Sequence, residues 1–254
     1  MSEASALSRR LEGRIAIVTG AASGLGRAYA RRLAAEGAHV WAADVADASE
    51  TVGLIQTAGG AARAGRCDVT AAASVAAFAD EVHQRDGRCD VLVNNAGIYP
   101  VAPFEETSFE TWRQVMSVNL DGMFHTCQAF LPGMRARSYG RVVNIATTIP
   151  WLAVPDFSAY AASKMGVIGL TRALASEYGG HGITVNAAAP SLVRTGTTEA
   201  GPQAGMFADV AQAQAIKRTQ EPADMVGTVA FLASDDAAFM TGQTLITDGG
   251  LVRI

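Results

Sequence analysis

Short apolar runs alternate with longer stretches of helical spacing from near the start of the chain to near its end. Arg14-Ile-Ala-Ile-Val-Thr19 is the first apolar run. A helical pattern over 24–36 follows it, and Gly37 ends that pattern. His39-Val-Trp-Ala-Ala-Asp44 is a second strand, and further strands are predicted at 62–67, 89–93, 141–146, 183–188 and 244–247. Strands that face water on one side alternate apolar and polar residues. These runs do not, so both faces of the sheet need cover. Covering both faces takes helical crossovers, which predicts an α/β fold: one parallel, doubly wound sheet with helices on both faces. In the third helical stretch Thr70 reads as an N-cap, with Val75, Phe78, Ala79 and Val82 at helical spacing behind it.

The 254 residues suit one domain, read as 12–254 after a flexible segment 1–11. A hydrophobic fraction of 49% is ample for a large core. Net charge is −4 without a dense Lys/Arg run, which argues against nucleic acid or an anionic membrane as partner. Cys67, Cys89 and Cys127 form no CxxC pair and are odd in number, as expected in a reducing compartment. No metal-ligand spacing joins them to His39, His83, His125 or His181, so no metal is expected. The first ten residues hold no apolar core of a signal peptide, and no run is long enough to cross a bilayer. A cytoplasmic protein is the expectation. The segment 195–219, rich in Ala, Gly and Gln after the Pro190 turn, reads equally as a mobile lid or a plain surface helix.

Thr19-Gly20-Ala21-Ala22-Ser23-Gly24-Leu25-Gly26 lies between the first strand and the first helix. Glycines there permit a tight turn and let backbone N–H groups approach a pyrophosphate at the helix N-terminus. Such a run also serves as an ordinary turn; its position after a strand and before a helix favours the phosphate reading. Asp44 ends the second strand, where a carboxylate accepts hydrogen bonds from ribose hydroxyls and repels a 2′-phosphate. The alternative is a solvated strand-end carboxylate. No Lys or Arg follows closely, so NAD is expected over NADP. Asn94-Asn95-Ala96-Gly97 follows the fourth strand. In a doubly wound sheet that loop lies beside the glycine loop, though alone it could be a turn.

Tyr160 and Lys164 sit four apart on a predicted helix that follows Pro155 with Asp156 as its N-cap, so they share a face. A nearby ammonium favours a phenolate and is expected to lower the tyrosine pKa. The chain has just two lysines, Lys164 and Lys217.

Taken together, TGxxxGxG at 19–26, NNAG at 94–97, YxxxK at 160–164 and the closing Asp248-Gly249-Gly250 resemble the short-chain dehydrogenase/reductase family, over nearly the whole chain. The resemblance implies a single Rossmann-like domain with a seven-stranded parallel sheet, a nicotinamide dinucleotide cofactor and a homotetramer. In the glycine loop it implies cofactor contacts from Gly20, Ser23, Gly24, Leu25 and Gly26. Asp44, Asp68, Val69, Asn95, Ala96 and Gly97 would complete the adenosine side. Pro190, Val193 and Thr195 would reach the nicotinamide, with Tyr160 and Lys164. Asn119 resembles the helix asparagine that holds a water in the family's proton relay to Lys164, while the position of Asn94 is more often structural in the family. Two positions depart from the pattern. Thr147 stands where the family carries Ser, keeping the hydroxyl but adding a methyl that restricts χ1. Thr148 is a rival donor. Ser191 replaces the usual Gly after Pro190.

Ile98-Tyr99-Pro100, Trp151-Leu152, 190–195 and 231–237 also resemble the 1-phenylethanol dehydrogenase-like members, which oxidise an aryl secondary alcohol. The reading is therefore an oxidoreductase moving a hydride between NAD(H) and an uncharged hydrophobic secondary alcohol or ketone, aryl-alkyl first. Alicyclic or steroid-like alcohols, or a lapsed NAD-binding regulator, are the alternatives. Tyr99, Thr148, Ile149 and Trp151 are placed in the substrate pocket, with Val154, Leu192, Met206 and Phe207. Arg194 is the sole basic candidate near them and is expected to face away.

Overall fold

Residues 9–253 are described in the computed structural model of the chain. Seven strands form the sheet. They are β1 (Ile15–Thr19), β2 (His39–Asp44), β3 (Ala61–Arg66), β4 (Val91–Asn94), β5 (Gly140–Ile145), β6 (Ile183–Pro190) and β7 (Thr244–Thr247). All neighbours pair in parallel, in the order β3-β2-β1-β4-β5-β6-β7. The order reverses between β1 and β4, where Ile17 lies opposite both Trp41 and Leu92.

Helices connect the strands: α1 (Gly24–Ala35), α2 (Ser49–Thr57), α3 (Ala72–Asp86), α4 (Phe109–Met116) and α5 (Gly122–Ala136) in the first part. The second part holds α6 (Ile149–Leu152), α7 (Ser158–Tyr178), α8 (Gly196–Ala200), α9 (Phe207–Ala213) and α10 (Pro222–Ala233). Two cores account for the absence of alternation. Ala16 and Val18 of β1 pack on Tyr29 and Leu33 of α1 and Met225 of α10. Ile15 and Ile17 pack on the other face against Phe78 of α3 and Phe130 of α5. Each such aliphatic side chain contributes roughly 1.5–3 kcal/mol when fully buried. Trp41, Phe78 and Phe130 meet edge to face at 5.8 and 6.2 Å, and Gly65 leaves the space for Phe78, which a Cβ there would strike.

Local differences from the sequence reading have specific causes. Of the expected N-terminal segment, residues 1–8 lie outside the described residues, but Leu11 is fully buried and its N–H donates to Glu36 O at 2.9 Å. Arg10 grips the Glu36 carboxylate with two bonds at 2.7 and 2.8 Å. Thr70 is not the cap of α3; Ala71 is, and Thr70 instead donates its hydroxyl to Asp68 Oδ1 at 2.7 Å. Asp156 does not cap α7: its φ is 67°, a left-handed turn, and Phe157 occupies the cap position. Segment 195–219 folds as α8, a 3₁₀ turn Pro202–Met206 and α9. Among the described residues no helix is long and apolar enough to cross a membrane.

Candidate active site

A cavity of about 460 Å³ opens where the C-terminal ends of the central strands meet the roof of α8 and α9. Its cofactor-sized end is built by the glycine loop. Gly20 and Gly24 take φ of 66° and 54°, a region that side chains avoid. A Cβ on Gly20 would come within 2.9 Å of Ala96 Cα, and one on Gly26 would run into Gly20 O. Asn95 holds the two loops together. Its Nδ2 donates to Thr19 O at 2.9 Å and Gly20 O at 3.2 Å, while Thr19 Oγ1 accepts from the N–H groups of Asn95 and Ala96. Ser23 at the N-cap of α1 makes no side-chain cap bond, and the first turn holds no acidic residue. The free N–H groups and the positive end of the helix dipole are thus left for an anion, which fits a dinucleotide pyrophosphate.

Farther along, Asp44 lines the same wall, its Oδ2 accepting from Ala22 N at 2.8 Å and its Oδ1 from Ala46 N at 2.9 Å. Arg27, the nearest arginine of the loop, is turned onto Glu50 by two bonds at 2.7 and 2.8 Å. Asp68 and Val69 complete this end; bonds from the hydroxyl and N–H of Thr70 hold the Asp68 carboxyl below its ordinary value. Lys164 is the only Lys or Arg among the described lining residues.

At the other end Tyr160 and Lys164 share one face of α7, as their spacing predicted, and both line the cavity. Lys164 Nζ donates to Ile145 O at 2.6 Å and lies 5.7 Å from the Tyr160 ring centroid. The Thr147 hydroxyl lies beside the Tyr160 phenol on the cavity wall, whereas the Thr148 hydroxyl is committed to Pro190 O at 3.3 Å. Burial pushes the Tyr160 phenol above its ordinary value, the neighbouring Thr147 hydroxyl offsetting part of the rise. Burial also lowers the Lys164 ammonium to about 8. The expected depression of Tyr160 by Lys164 is therefore reversed: with both groups out of water, desolvation of the charged forms outweighs their mutual effect.

Asn119 lies behind the wall, within a π-helical turn at Ser117–Asp121. Its Oδ1 accepts from Ile98 N at 2.8 Å, and its Nδ2 donates to Ile98 O at 2.9 Å and to Ser163 Oγ at 3.0 Å. Ser163 in turn donates to Tyr160 O at 2.7 Å. Asn94 is structural, bonded to Asn144 and Thr126.

Gly97, Pro190, Val193 and Thr195 all line the cavity, as do Ser23 and Leu25. Of the substrate set, Tyr99, Thr148, Ile149, Val154, Leu192 and Met206 line it too. Trp151 and Phe207 do not. In α6, Ile149 and Leu152 share the inner face, so Trp151 is turned onto the core. Met206, the N-cap of α9, and Val210 within it face inward, and Phe207 lies under the Arg194 guanidinium at 5.4 Å. Arg194 faces away as expected, its charge met by Glu199 and Glu221. Leu152, Phe157, Thr197 and Gln203 are lining residues that sequence reasoning missed. Leu152 and Phe157 flank named positions and follow once the helix phase is known. Gln203 carries no periodic signal at all. Gln220 was also missed: it pins the loop after β6 by accepting from Ser191 N and donating to Thr247 O.

With this geometry in hand, the comparisons with known proteins are decisive for the family. A family model described as Enoyl-(Acyl carrier protein) reductase matches residues 20–252. The chain belongs to the short-chain dehydrogenase/reductase family. It is 41% identical over 250 residues to a D-threitol dehydrogenase from Mycolicibacterium smegmatis, covering 95% of this chain and 94% of the relative. It is 41% identical over 254 residues to 3beta-hydroxysteroid dehydrogenase 1 of Eggerthella lenta, with 95% and 94% covered. Its fold matches a gluconate 5-dehydrogenase from Burkholderia cenocepacia, solved in complex with NADP and tartrate. The TM-score there is 0.91, with 36% identity and 97% and 98% of the two chains covered. The protein is an oxidoreductase of this family acting on hydroxy compounds.

Proposed function

We propose that this short-chain dehydrogenase/reductase interconverts uncharged secondary alcohols and ketones with NAD(H), aryl-alkyl substrates first. The observation that carries the reading is the Thr147–Tyr160 hydroxyl pair facing a cavity whose only cation, among the described lining residues, is Lys164. Tyr160 is the acid/base: it gives its proton to a carbonyl oxygen in reduction and takes one from a hydroxyl in oxidation. A phenol held above its ordinary pKa by burial is protonated at neutral pH, so reduction is favoured there and oxidation rises with pH. Thr147 orients the substrate oxygen, keeping the hydroxyl of the family serine. Lys164 tunes the phenol beside it and would hold the cofactor ribose. Asn119 is a positioning residue, acting through Ile98 and Ser163. The nicotinamide, when bound, takes up or supplies the hydride. The glycine loop, Asp68, Val69, Asn95 and Ala96 would hold its adenosine and pyrophosphate; Pro190, Val193 and Thr195 would hold its nicotinamide end.

NAD over NADP is supported by Asp44, whose carboxylate meets the ribose side of the cavity with no Lys or Arg beside it on the described wall. A substrate body without charge is supported by the apolar wall at Ile149, Leu152, Val154, Phe157 and Leu192, and by the outward, paired Arg194. The same wall suits alicyclic or steroid-like alcohols, and the Eggerthella relative supports them as the second class. The roof of α8 and α9 closes over substrate in this reading. A homotetramer belongs to it as well, supported by large exposed apolar side chains at Phe109, Phe124 and Met165. The test is kcat/KM for acetophenone-type ketones against 3-keto acids of similar size. The proposal requires the ketones to win; preference for the acids overturns it.

A further inference from the structure

The turn between α8 and α9 holds a buried amide that nothing in the mechanism above uses. Gln203 is 4% exposed and forms part of the cavity wall, so what remains accessible of it faces the cavity. Its buried neighbour in kind, Gln220, spends both ends of its amide on Ser191 N and Thr247 O. The Gln203 amide is not among the side-chain hydrogen bonds of the described residues, nor among their fully enclosed partnerless atoms, as befits a group on the cavity wall. Gly201 makes the seat for it: a Cβ there would come within 2.5 Å of Gln203 Oε1 and 3.1 Å of Thr197 O. The Gly201 backbone, with φ of −95°, is one that any residue adopts, so the missing side chain there serves space and not conformation. A primary amide offers two donors and two acceptor lone pairs, and leaving them unpaired in a dry site costs roughly one to two orders of magnitude in an equilibrium constant.

The position of this amide relative to the reacting groups follows from a short chain of contacts. The Tyr160 ring meets the Tyr99 ring at 6.0 Å, Tyr99 and Thr197 line the same cavity, and the Thr197 carbonyl borders the Gln203 seat. Gln203 therefore shares the cavity with Tyr160 but belongs to its roof, on a different element from the reacting groups. A charged group is a poor match for it, because Lys164 is at the far end and bonded to Ile145 O, and the other charged residues of the described wall, Asp44 and Asp68, are anionic. We infer that Gln203 recognises a second, uncharged hydrogen-bonding group of the substrate, a hydroxyl or carbonyl oxygen on its body away from the reacting carbon. The inference rests on the proposed alcohol/ketone chemistry and narrows its substrate class. A site built to pair a substrate hydroxyl discriminates strongly against an analogue lacking it, because the site's own polar group is then left without a partner.

Three aryl methyl ketones separate the possibilities: a para-hydroxyl, a para-methyl of the same size, and a para-carboxylate. The native enzyme should prefer the hydroxyl over the methyl compound by at least about tenfold in kcat/KM. Gln203→Leu should collapse that ratio toward one. Gly201→Ala, which displaces the amide without removing it, should do the same, and so guards against a Gln203→Leu protein that fails to fold. Equal use of the hydroxyl and methyl ketones by the native enzyme overturns the inference alone. So does a ratio that survives in both variants while KM for NAD rises, which would assign the amide to the cofactor. Preference for the carboxylate overturns it by making the far end an anion site. Turnover of none of the three ketones overturns the alcohol/ketone reading itself, and this inference with it.

Discussion

Replacing Lys164 with methionine should make the protein without added cofactor more stable near neutral pH while removing a group that the proposed chemistry uses. The ammonium is 3% exposed and burial lowers its pKa from 10.5 to about 8. The folded chain thus gives up the proton more readily than the unfolded chain. Between those two values the unfolded state binds more protons, so stability rises with pH. With one pKa unit equal to about 1.4 kcal/mol, the charged lysine destabilises the fold by about 3 kcal/mol at pH 7 and by under about 1 kcal/mol at pH 10. Ile145 O loses its donor in the variant, which takes back on the order of 1 kcal/mol at both pH values. Urea unfolding of both proteins at one protein concentration should show a stability advantage for the variant that shrinks by roughly 2–3 kcal/mol from pH 7 to pH 10. Titrating groups common to both proteins cancel in the difference. A difference that does not change with pH, or grows with it, would refute the reasoning.

Asp44 should give a preference for NAD over NADP of at least about tenfold in kcat/KM, about 1.4 kcal/mol, and Asp44→Ser should narrow it; equal use of both cofactors by the native enzyme would sink that argument. Thr147→Ser should retain activity, whereas Thr147→Ala should lose on the order of 10²-fold in kcat. An active Thr147→Ala protein beside a dead Thr148→Ala protein would transfer the role to Thr148, against the bond its hydroxyl makes to Pro190 O.

The architecture was legible because it rests on patterns that survive without coordinates. Continuous apolar runs such as 14–19 state that both faces are covered, and Ala16/Val18 and Ile15/Ile17 do pack into separate cores. Tyr160 and Lys164 were legible for a similar reason: four residues on a helix fix a common face. Where a reading depended on phase or backbone state, it failed. Trp151 and Phe207 were in the right loops but on the wrong side of one-turn and two-turn helices. Asp156, a favoured capping residue by type, takes a left-handed φ that no composition announces. The tyrosine pKa failed for another reason. Sequence shows that an ammonium is four residues away, but not that both groups are removed from water. Gln203 and its seat at Gly201 were invisible, since a buried unpaired amide is defined by what surrounds it.

The central claim is that Tyr160 exchanges the proton with the substrate oxygen. Tyr160→Phe keeps the ring against Tyr99 and Phe157 and removes only the hydroxyl beside Thr147. The measurement is NADH formation from a hydrophobic secondary alcohol by both proteins, beside NADH binding by fluorescence. Turnover should fall by at least about 10²-fold with binding nearly intact, the scale of a lost acid/base group. Turnover near that of the native enzyme would contradict the account and require a different base.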